Sequence, residues 1–375
     1  MGPPVPVGRR PLRVLQVAAR VAPDLGGIET HVHEVARRLG ESGEFDVTVL
    51  GTDRTRGRAR VERCDGYTVR RVPAWPRERD YYLAPGIYSA VRRGEWDLVH
   101  CQGIHTPVPV LAMAAARAAR RPYVVTLHTG GHSLRHRNAL RSLQWRALGP
   151  LLRGAHRVIG VSRHEARLFT DLAGLDPARV EVIRNGGSLP APTSPPDVVP
   201  GLVVSVGRLE HYKGHHRVIE ALPYLRQVCP GATVEIIGAG PFEADLRELS
   251  ARLGVADAVG IHAIPPADRE AMATALGRAA AMAALSDYEA HPVAVMEALT
   301  LGTPVIGFDV AGVGDLAEDG LVRPVRPSAT AEQVAGALRE VLSAPRPGVT
   351  PGLPTWESCA EALAEVYRSA ARSAP

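Results

Sequence analysis

The residues best placed to do chemistry follow an apolar stretch, in the run Val206-Gly207-Arg208-Leu209-Glu210-His211-Tyr212-Lys213-Gly214. Gly207 lets the chain turn sharply, and Arg208 and Lys213 flank the short loop beyond it. Arginine offers a planar fork and lysine a compact point charge, so together they could neutralise a diphosphate. The plainer reading is a solvated basic turn. Against it stands one compositional fact: of 44 Lys and Arg in the 375-residue chain, Lys213 is the single lysine. A site that needs a point charge on a flexible stem resists replacement by arginine.

A second run, Ser286-Asp287-Tyr288-Glu289-Ala290-His291-Pro292-Val293-Ala294-Val295-Met296-Glu297, ends in a helix-like stretch with Gly302 as its stop. Pro292 suits the first helical position, where a missing N–H costs nothing. Free N–H groups and the macrodipole at such a helix start make an anion site. Glu289 lies just before the helix and Glu297 about 7–8 Å further along it. That spacing would set Glu289 near a sugar at one end of a diphosphate and Glu297 near a ribose at the other. Each also has an ordinary reading, Glu289 as a cap and Glu297 as a solvated helix residue.

The elements that must position these runs alternate. Short apolar strands are expected over 14–18, 45–51, 98–100, 123–128 and 157–161, with helices over 28–39, 108–119 and 138–152 among them. The stretch 188–200 carries five prolines and no periodicity, as a linker would. Alternation then restarts with strands over 202–206, 233–237, 259–263, 280–285 and 304–308 and helices over 218–227, 242–253, 267–279 and 292–301. A second proline-rich break covers 344–354, and a terminal helix covers 357–371. This is an α/β chain of two doubly wound, Rossmann-like parallel-sheet domains, 1–190 and 191–354, followed by the terminal helix. Ligands of such sheets bind beyond the carboxyl ends of the strands, here expected in a cleft between the domains.

Taken together, Gly207-Arg208 with Lys213-Gly214, and Glu289 with Glu297 eight positions on, resemble the two signatures of the family 4 glycosyltransferases of the GT-B fold. Gly26-Gly27-Ile28-Glu29, Thr126-Leu127-His128, Val161-Ser162, Asn185-Gly186 and Gly238-Ala239-Gly240-Pro241 fall in the family's order, and the similarity spans about residues 12–370. The resemblance implies that Arg208 and Lys213 hold the donor diphosphate and stabilise the charge growing on it as the glycosidic bond breaks. It implies that Glu297 binds the ribose hydroxyls and Glu289 those of the transferred sugar. His291, Pro292 and Val293 would belong to the donor site, and 355–375, with the helix opening at Trp356, would cross back to the first domain. Gly26 and Gly27 would let the backbone approach donor and acceptor, and His128 would sit near the reacting sugar. The implied reaction retains anomeric configuration, needs no metal or other cofactor, and uses the leaving phosphate as base. Three stretches depart from the family pattern: Glu289-Ala290-His291-Pro292, Ala311-Gly312-Val313-Gly314-Asp315, and the undiagnostic loop Gly130-Gly131-His132-Ser133, expected to help shape the acceptor site.

Composition bounds the alternatives. Apolar residues make up 45% and charged residues 22%, with no apolar run long enough to span a bilayer. Neither a secretory signal nor a myristoylation site is read at the start, because Arg13 and Arg20 bracket the apolar stretch and position 6 is Pro. The four scattered cysteines form no disulfide framework or metal pairing, so cytoplasmic residence is expected. Net charge is +5, favouring anionic partners, but the basic residues lack the aromatic interleaving of a nucleic-acid binder. The basic stretch 134–157 could touch the inner membrane face, yet its leucines suit a core-facing stripe better. Gly238-Ala239-Gly240 lacks the third glycine of a dinucleotide site, with Glu243 in its place. The expected partners are a UDP-, GDP- or other nucleoside-diphosphate sugar and a hydroxyl acceptor: a glycan, a lipid-linked sugar or a natural product. The competing functions on the same fold are a nucleotide-sugar epimerase and a non-catalytic sugar-nucleotide-binding protein.

Overall fold

The computed structural model describes residues 10–24, 26–55, 57–76, 82–129, 145–190, 197–265, 267–348 and 352–373. These fall into two units. The first runs to Thr129, continues to Arg184 and includes the chain from Trp356 onward, while the second covers Asn185 to Thr355.

The first unit is built on an eight-stranded sheet of order β3-β4-β2-β1-β5-β6-β7-β8. Its strands are β1 (Leu12–Val17), β2 (Phe45–Asp53), β3 (Val61–Cys64), β4 (Tyr67–Pro73), β5 (Leu98–Gln102), β6 (Tyr123–Thr126), β7 (Arg157–Gly160) and β8 (Val180–Val182). All neighbours are parallel except β3, which turns back antiparallel on β4. The central strands β1, β5, β6 and β7 are buried along most of their length, as strands covered by helices on both faces are, and the polar Gln16, His100, Gln102 and Thr126 are buried with them. Those helices are α1 (Gly27–Glu41), α2 (Pro85–Arg93), α3 (Pro107–Ala118), α4 (Gly149–Leu152) and α5 (Arg163–Ala173).

The second unit carries an all-parallel sheet of order β11-β10-β9-β12-β13-β14. Its strands are β9 (Val199–Val206), β10 (Thr233–Ile237), β11 (Val259–His262), β12 (Ala279–Ala284), β13 (Val305–Phe308) and β14 (Arg323–Val325). Between them run α6 (His215–Val228), α7 (Glu243–Arg252), α8 (Arg269–Arg278), α9 (Val293–Thr300), α10 (Ala311–Glu318) and α11 (Ala331–Ser343). The last helix, α12 (Trp356–Arg372), belongs to the first unit and lies against α1. It buries Trp356, Leu363 and Tyr367 there, while Arg368 grips Glu44 through two hydrogen bonds of 2.7 and 2.6 Å.

Several elements were not legible from periodicity. Strand β3 has a single apolar pair at its ends and an exposed surface, as an edge strand does, so it shows no alternation. Helix α11 opens with a reciprocal cap between Thr330 and Gln333, a local signal that the hydrophobic pattern alone does not carry. Residues 138–144 of the expected helix over 138–152 lie outside the described residues, as do 130–133 and 191–196 of the linker. From Trp145 on, Leu148 and Leu152 are buried in the first unit's core with Trp145 and Leu151 against it. Among the described residues no helix is long and apolar enough to cross a membrane.

Candidate active site

Because β9 and β12 are parallel neighbours, the loops after them leave the same edge of the second sheet, and they are locked together. After Val206 the chain passes Gly207 and Arg208 into a 3₁₀ turn, His211–Lys213, closed by Gly214 in the left-handed region at φ 75°. A Cβ on Gly214 would lie 1.9 Å from the Leu285 carbonyl oxygen, so only glycine lets the two loops approach this closely. Arg217 donates to the same carbonyl at 2.7 Å and to Asp287 at 2.7 Å, and Asp287 N donates to Tyr212 O at 2.8 Å.

The clamp brings Lys213 and Glu289 together in an ion pair, with each side chain 18% exposed. Ser286 Oγ donates to the same Glu289 oxygen at 3.0 Å, and the ammonium stands 5.5 Å from the Tyr212 ring centre. Burial pulls the Lys213 pKa down, but the Glu289 charge, Tyr212 and the hydrogen bond to Glu289 together more than offset it and the net shift is upward. Lys213 is therefore charged at any physiological pH. Arg208 projects further out, 54% exposed, and pairs with Glu210 at 2.7 Å. Its carbonyl accepts from His215 Nε2 at 3.2 Å, while Ser205 Oγ lies 2.8 Å from His215 Nδ1. Burial pushes the His215 pKa down to about 4, so the ring is neutral and keeps this pairing.

The Gly238-Ala239-Gly240 loop has a structural task here. Cβ atoms on Gly238 and Gly240 would lie 1.9 Å from Gly207 O and 2.4 Å from Leu209 O, and Leu209 N donates to Ala239 O at 3.0 Å. The glycines thus hold the Arg208 loop from behind.

Helix α9 begins one residue later than its sequence suggests. Pro292 stands at the N-cap with φ −76° and ψ 112°, and Val293 is the first helical residue. Proline's missing N–H is as harmless at the N-cap as at the first turn, so residue type does not separate the two registers. No side chain caps this end and its first turn has no acidic residue, which leaves its N–H groups and positive dipole end uncompensated by side chains. The approach to it is fixed from two sides. Gly312 N donates to Glu289 O at 2.8 Å, and Asn185 Nδ2 donates to the carbonyl of the buried His291 at 3.2 Å. Glu297 departs from the solvated reading, because its side chain is 6% exposed and ion-paired with Arg269. Ser286, Arg269 and Gly312 are contributors that sequence reasoning passed over. Of these, only Ser286, three residues before Glu289, stood close enough in the chain to be suspected.

In the first unit, His128 follows β6 at φ 49°, a left-handed conformation that costs a non-glycine residue about 1–2 kcal/mol. Its ring meets His31 edge-on at 4.6 Å, and His31 meets Trp356 of α12 at 5.9 Å. Burial, then the neighbouring histidines, push its pKa well below the ordinary histidine value. A chain of buried polar groups orients it. Tyr367 OH lies 2.6 Å from His100 Nδ1, and His100 Nε2 lies 2.7 Å from Thr126 Oγ1. With Gln102 Nε2 directed at His100 Nδ1 (3.3 Å), the Gln102 Oε1 atom is left to accept from His128 Nε2 at 2.8 Å. That assigns the proton to Nε2 and the lone pair to Nδ1 of a neutral His128. Gly27 opens α1, and the Glu29 carboxylate fills the space over Gly26, with Oε2 2.3 Å from where a Cβ would stand.

The profile described as Glycosyltransferase Family 4 matches residues 25–188, and that described as Glycosyl transferases group 1 matches 194–350. A D-inositol 3-phosphate glycosyltransferase of Jonesia denitrificans is 31% identical over 338 residues, covering 77% of this chain and 76% of that protein. This chain belongs to the family 4 glycosyltransferases. It is therefore an enzyme of the glycosyl-transferring class. A glycogen synthase of Mycobacterium tuberculosis is 29% identical over 402 residues, 96% of this chain and 95% of that one. Among solved structures, sucrose-phosphate synthase from Thermosynechococcus elongatus has a TM-score of 0.75 at 18% identity, covering 96% and 98% of the two chains. Anabaena HepE in complex with UDP and glucose has a TM-score of 0.68 at 20% identity, covering 96% and 99%. Those likenesses show the fold, GT-B, for this glycosyltransferase.

Proposed function

We propose that this glycosyltransferase moves a hexosyl unit from a nucleoside-diphosphate sugar to a hydroxyl acceptor, with retention of configuration and without a metal ion. The observation that carries the reading is the Lys213–Glu289 pair, set at the carboxyl edge of the second sheet within three residues of the uncapped α9 start. A diphosphate would take Lys213, Arg208 and the first N–H groups of α9 as its counter-charges. Those groups stabilise the negative charge that grows as the bond from C1 to the phosphate oxygen breaks. The acceptor oxygen bonds to C1 on the face the nucleoside diphosphate leaves, and the acceptor proton passes to an oxygen of that leaving phosphate. Glu289 then lies towards the sugar hydroxyls and Glu297 towards the ribose. The second unit holds the donor, and the first, with Gly26, Gly27 and His128, serves the acceptor and the reacting sugar.

Relatives named for GDP-mannose and a neighbour solved with UDP and glucose support a sugar nucleotide as donor. A thermal-shift panel of UDP, GDP, ADP and TDP sugars identifies the base, since a ligand at 100 times its dissociation constant adds about 2.7 kcal/mol. Radiolabelled donor is then incubated with and without candidate acceptors, with and without EDTA. The product should carry the donor's anomeric configuration, and EDTA should leave the rate unchanged. Epimerised donor in the absence of acceptor would overturn the transferase mechanism, and loss of turnover in EDTA would overturn metal independence.

A further inference from the structure

We infer that Glu165 is a positioning residue whose buried carboxylate holds the His128–Thr129 turn, and with it the His128 imidazole, in the conformation that transfer uses. The inference rests on the reading that His128 faces the transferred sugar.

Glu165 is the third residue of α5 and is fully buried. Its own N–H donates to Ser162 Oγ at 3.2 Å, which caps the helix, and in a reciprocal cap the glutamate would turn back to the Ser162 N–H. It does not. Oε2 accepts from Val161 N at 2.9 Å, and Oε1 accepts from both Thr129 N and Thr129 Oγ1 at 2.6 Å. The backbone N–H of His128 is directed at the same carboxylate. One side chain thus ties the end of β7 to the turn after β6.

Every one of these partners is a donor, so the site calls for a group that only accepts. Burial pushes the Glu165 pKa up, and the bonds from Thr129, Val161 and His128 pull against that. What this grip holds is the residue with φ 49°, a conformation a histidine leaves when nothing compels it. The ring end is held separately, by Gln102 at 2.8 Å and by the edge of His31. Glu165 therefore fixes the backbone of His128 while Gln102 fixes its imidazole. Together they aim one nitrogen lone pair in one direction.

Glu165→Gln tests this with almost no change in volume. One end of the amide is an NH₂, which must face the N–H of either Val161 or Thr129, donor against donor. The assay follows UDP release from UDP-glucose and GDP release from GDP-mannose, with and without acceptor. Turnover should fall at least tenfold while the donor KM stays within twofold, because the groups proposed to hold the donor's diphosphate and ribose belong to the other unit. Leu152→Ala, a core change in the same unit, serves as the stability-matched control and should keep kcat within twofold below its melting temperature. Thr129→Val removes one bond to Oε1 and should lose about threefold. The ¹⁵N signals of the His128 ring should report the Nε2–H tautomer in the wild type and shift in both Glu165→Gln and Thr129→Val.

Wild-type kcat in Glu165→Gln overturns the proposal, as does a loss no greater than that of Leu152→Ala at equal melting temperature. Where Glu165→Gln does not fold, wild-type kcat in Thr129→Val overturns it instead. A wild-type protein that turns over no sugar nucleotide sinks the transferase mechanism rather than the grip. In that event, unchanged His128 ring signals in Thr129→Val overturn the grip on their own.

Discussion

Lys213→Met removes the ammonium of the donor clamp and keeps most of the side chain's apolar volume. Two separate effects follow from the geometry. Breaking a fully buried ion pair costs about 3–5 kcal/mol, whereas an exposed pair is worth about 0–1 kcal/mol. With both partners 18% exposed, the Lys213–Glu289 pair falls between these limits, at about 2–3 kcal/mol. Over a unit of this size that is a fall in Tm of roughly 5–10 °C. Ser286 remains on Glu289 and keeps the loss below the fully buried value. The second effect is catalytic. Loss of one pre-aimed electrostatic partner of a leaving group typically costs about 10²–10³ in kcat, or about 3–4 kcal/mol. Turnover measured 20 °C below the variant's Tm separates the two, because the folded fraction is then complete. A variant whose Tm falls as forecast but whose kcat stays within threefold of wild type would refute the catalytic role and leave the pair as a loop clamp.

Three further outcomes are expected. Arg346 donates to the carbonyls of Gly302, Gly277, Ala279 and Leu301 and to Thr303 Oγ1, so Arg346→Ala should cost about 3 kcal/mol in denaturant unfolding with kcat within threefold. His215 has a folded pKa of about 4 against 6.5 for a free histidine, so the folded state binds fewer protons between those values. Its contribution is complete above pH 6.5 and is lost as pH falls towards 4, about 3 kcal/mol in all. His215→Gln should flatten the stability profile over that window, and a slope equal to wild type would show that the ring is not buried neutral. Lys213→Arg keeps the charge and should retain more stability than Lys213→Met, yet lose at least about tenfold in kcat.

Much of the second unit was legible from its alternating pattern, and two of its strands are followed directly by glycine. Val206-Gly207 and Ile237-Gly238 read as strand-to-turn junctions, and the 233–237 strand is as expected. The clamp itself was not legible as a contact. Lys213 and Glu289 are 76 residues apart, and only the adjacency of β9 and β12 brings them together. Glu297 hid its pairing for the same reason. Its helical position says nothing of Arg269, which arrives from α8 and makes it a buried paired carboxylate. In the first unit the signal for Glu165 was present, as Ser162 with a glutamate three residues on. The carboxylate's departure from that local motif depends on where β6 ends, which periodicity does not encode. Arg346 sits in a stretch that reads as a proline-rich break, and its five hydrogen bonds all go to backbone and side-chain oxygens that no pattern in its own neighbourhood announces.

The single lysine of an arginine-rich chain acquires a physical reason from the surroundings of its stem. A Cβ on Gly207 would lie 3.6 Å from Lys213 Cδ, so the stem runs close along a backbone that carries no side chain there. The ammonium then meets one carboxylate oxygen already engaged by Ser286, with the Tyr212 ring beside it. A guanidinium presents a wide planar fork that seeks two acceptors in its plane, whereas the ammonium here pairs with a single carboxylate oxygen. Arg208, by contrast, is half exposed and pairs with Glu210 at 2.7 Å, so its fork lies in open surroundings. The two cations of the loop therefore differ in type because their surroundings differ in width. The narrow one is closed by Gly214 against Leu285, where the chain has no latitude to widen it.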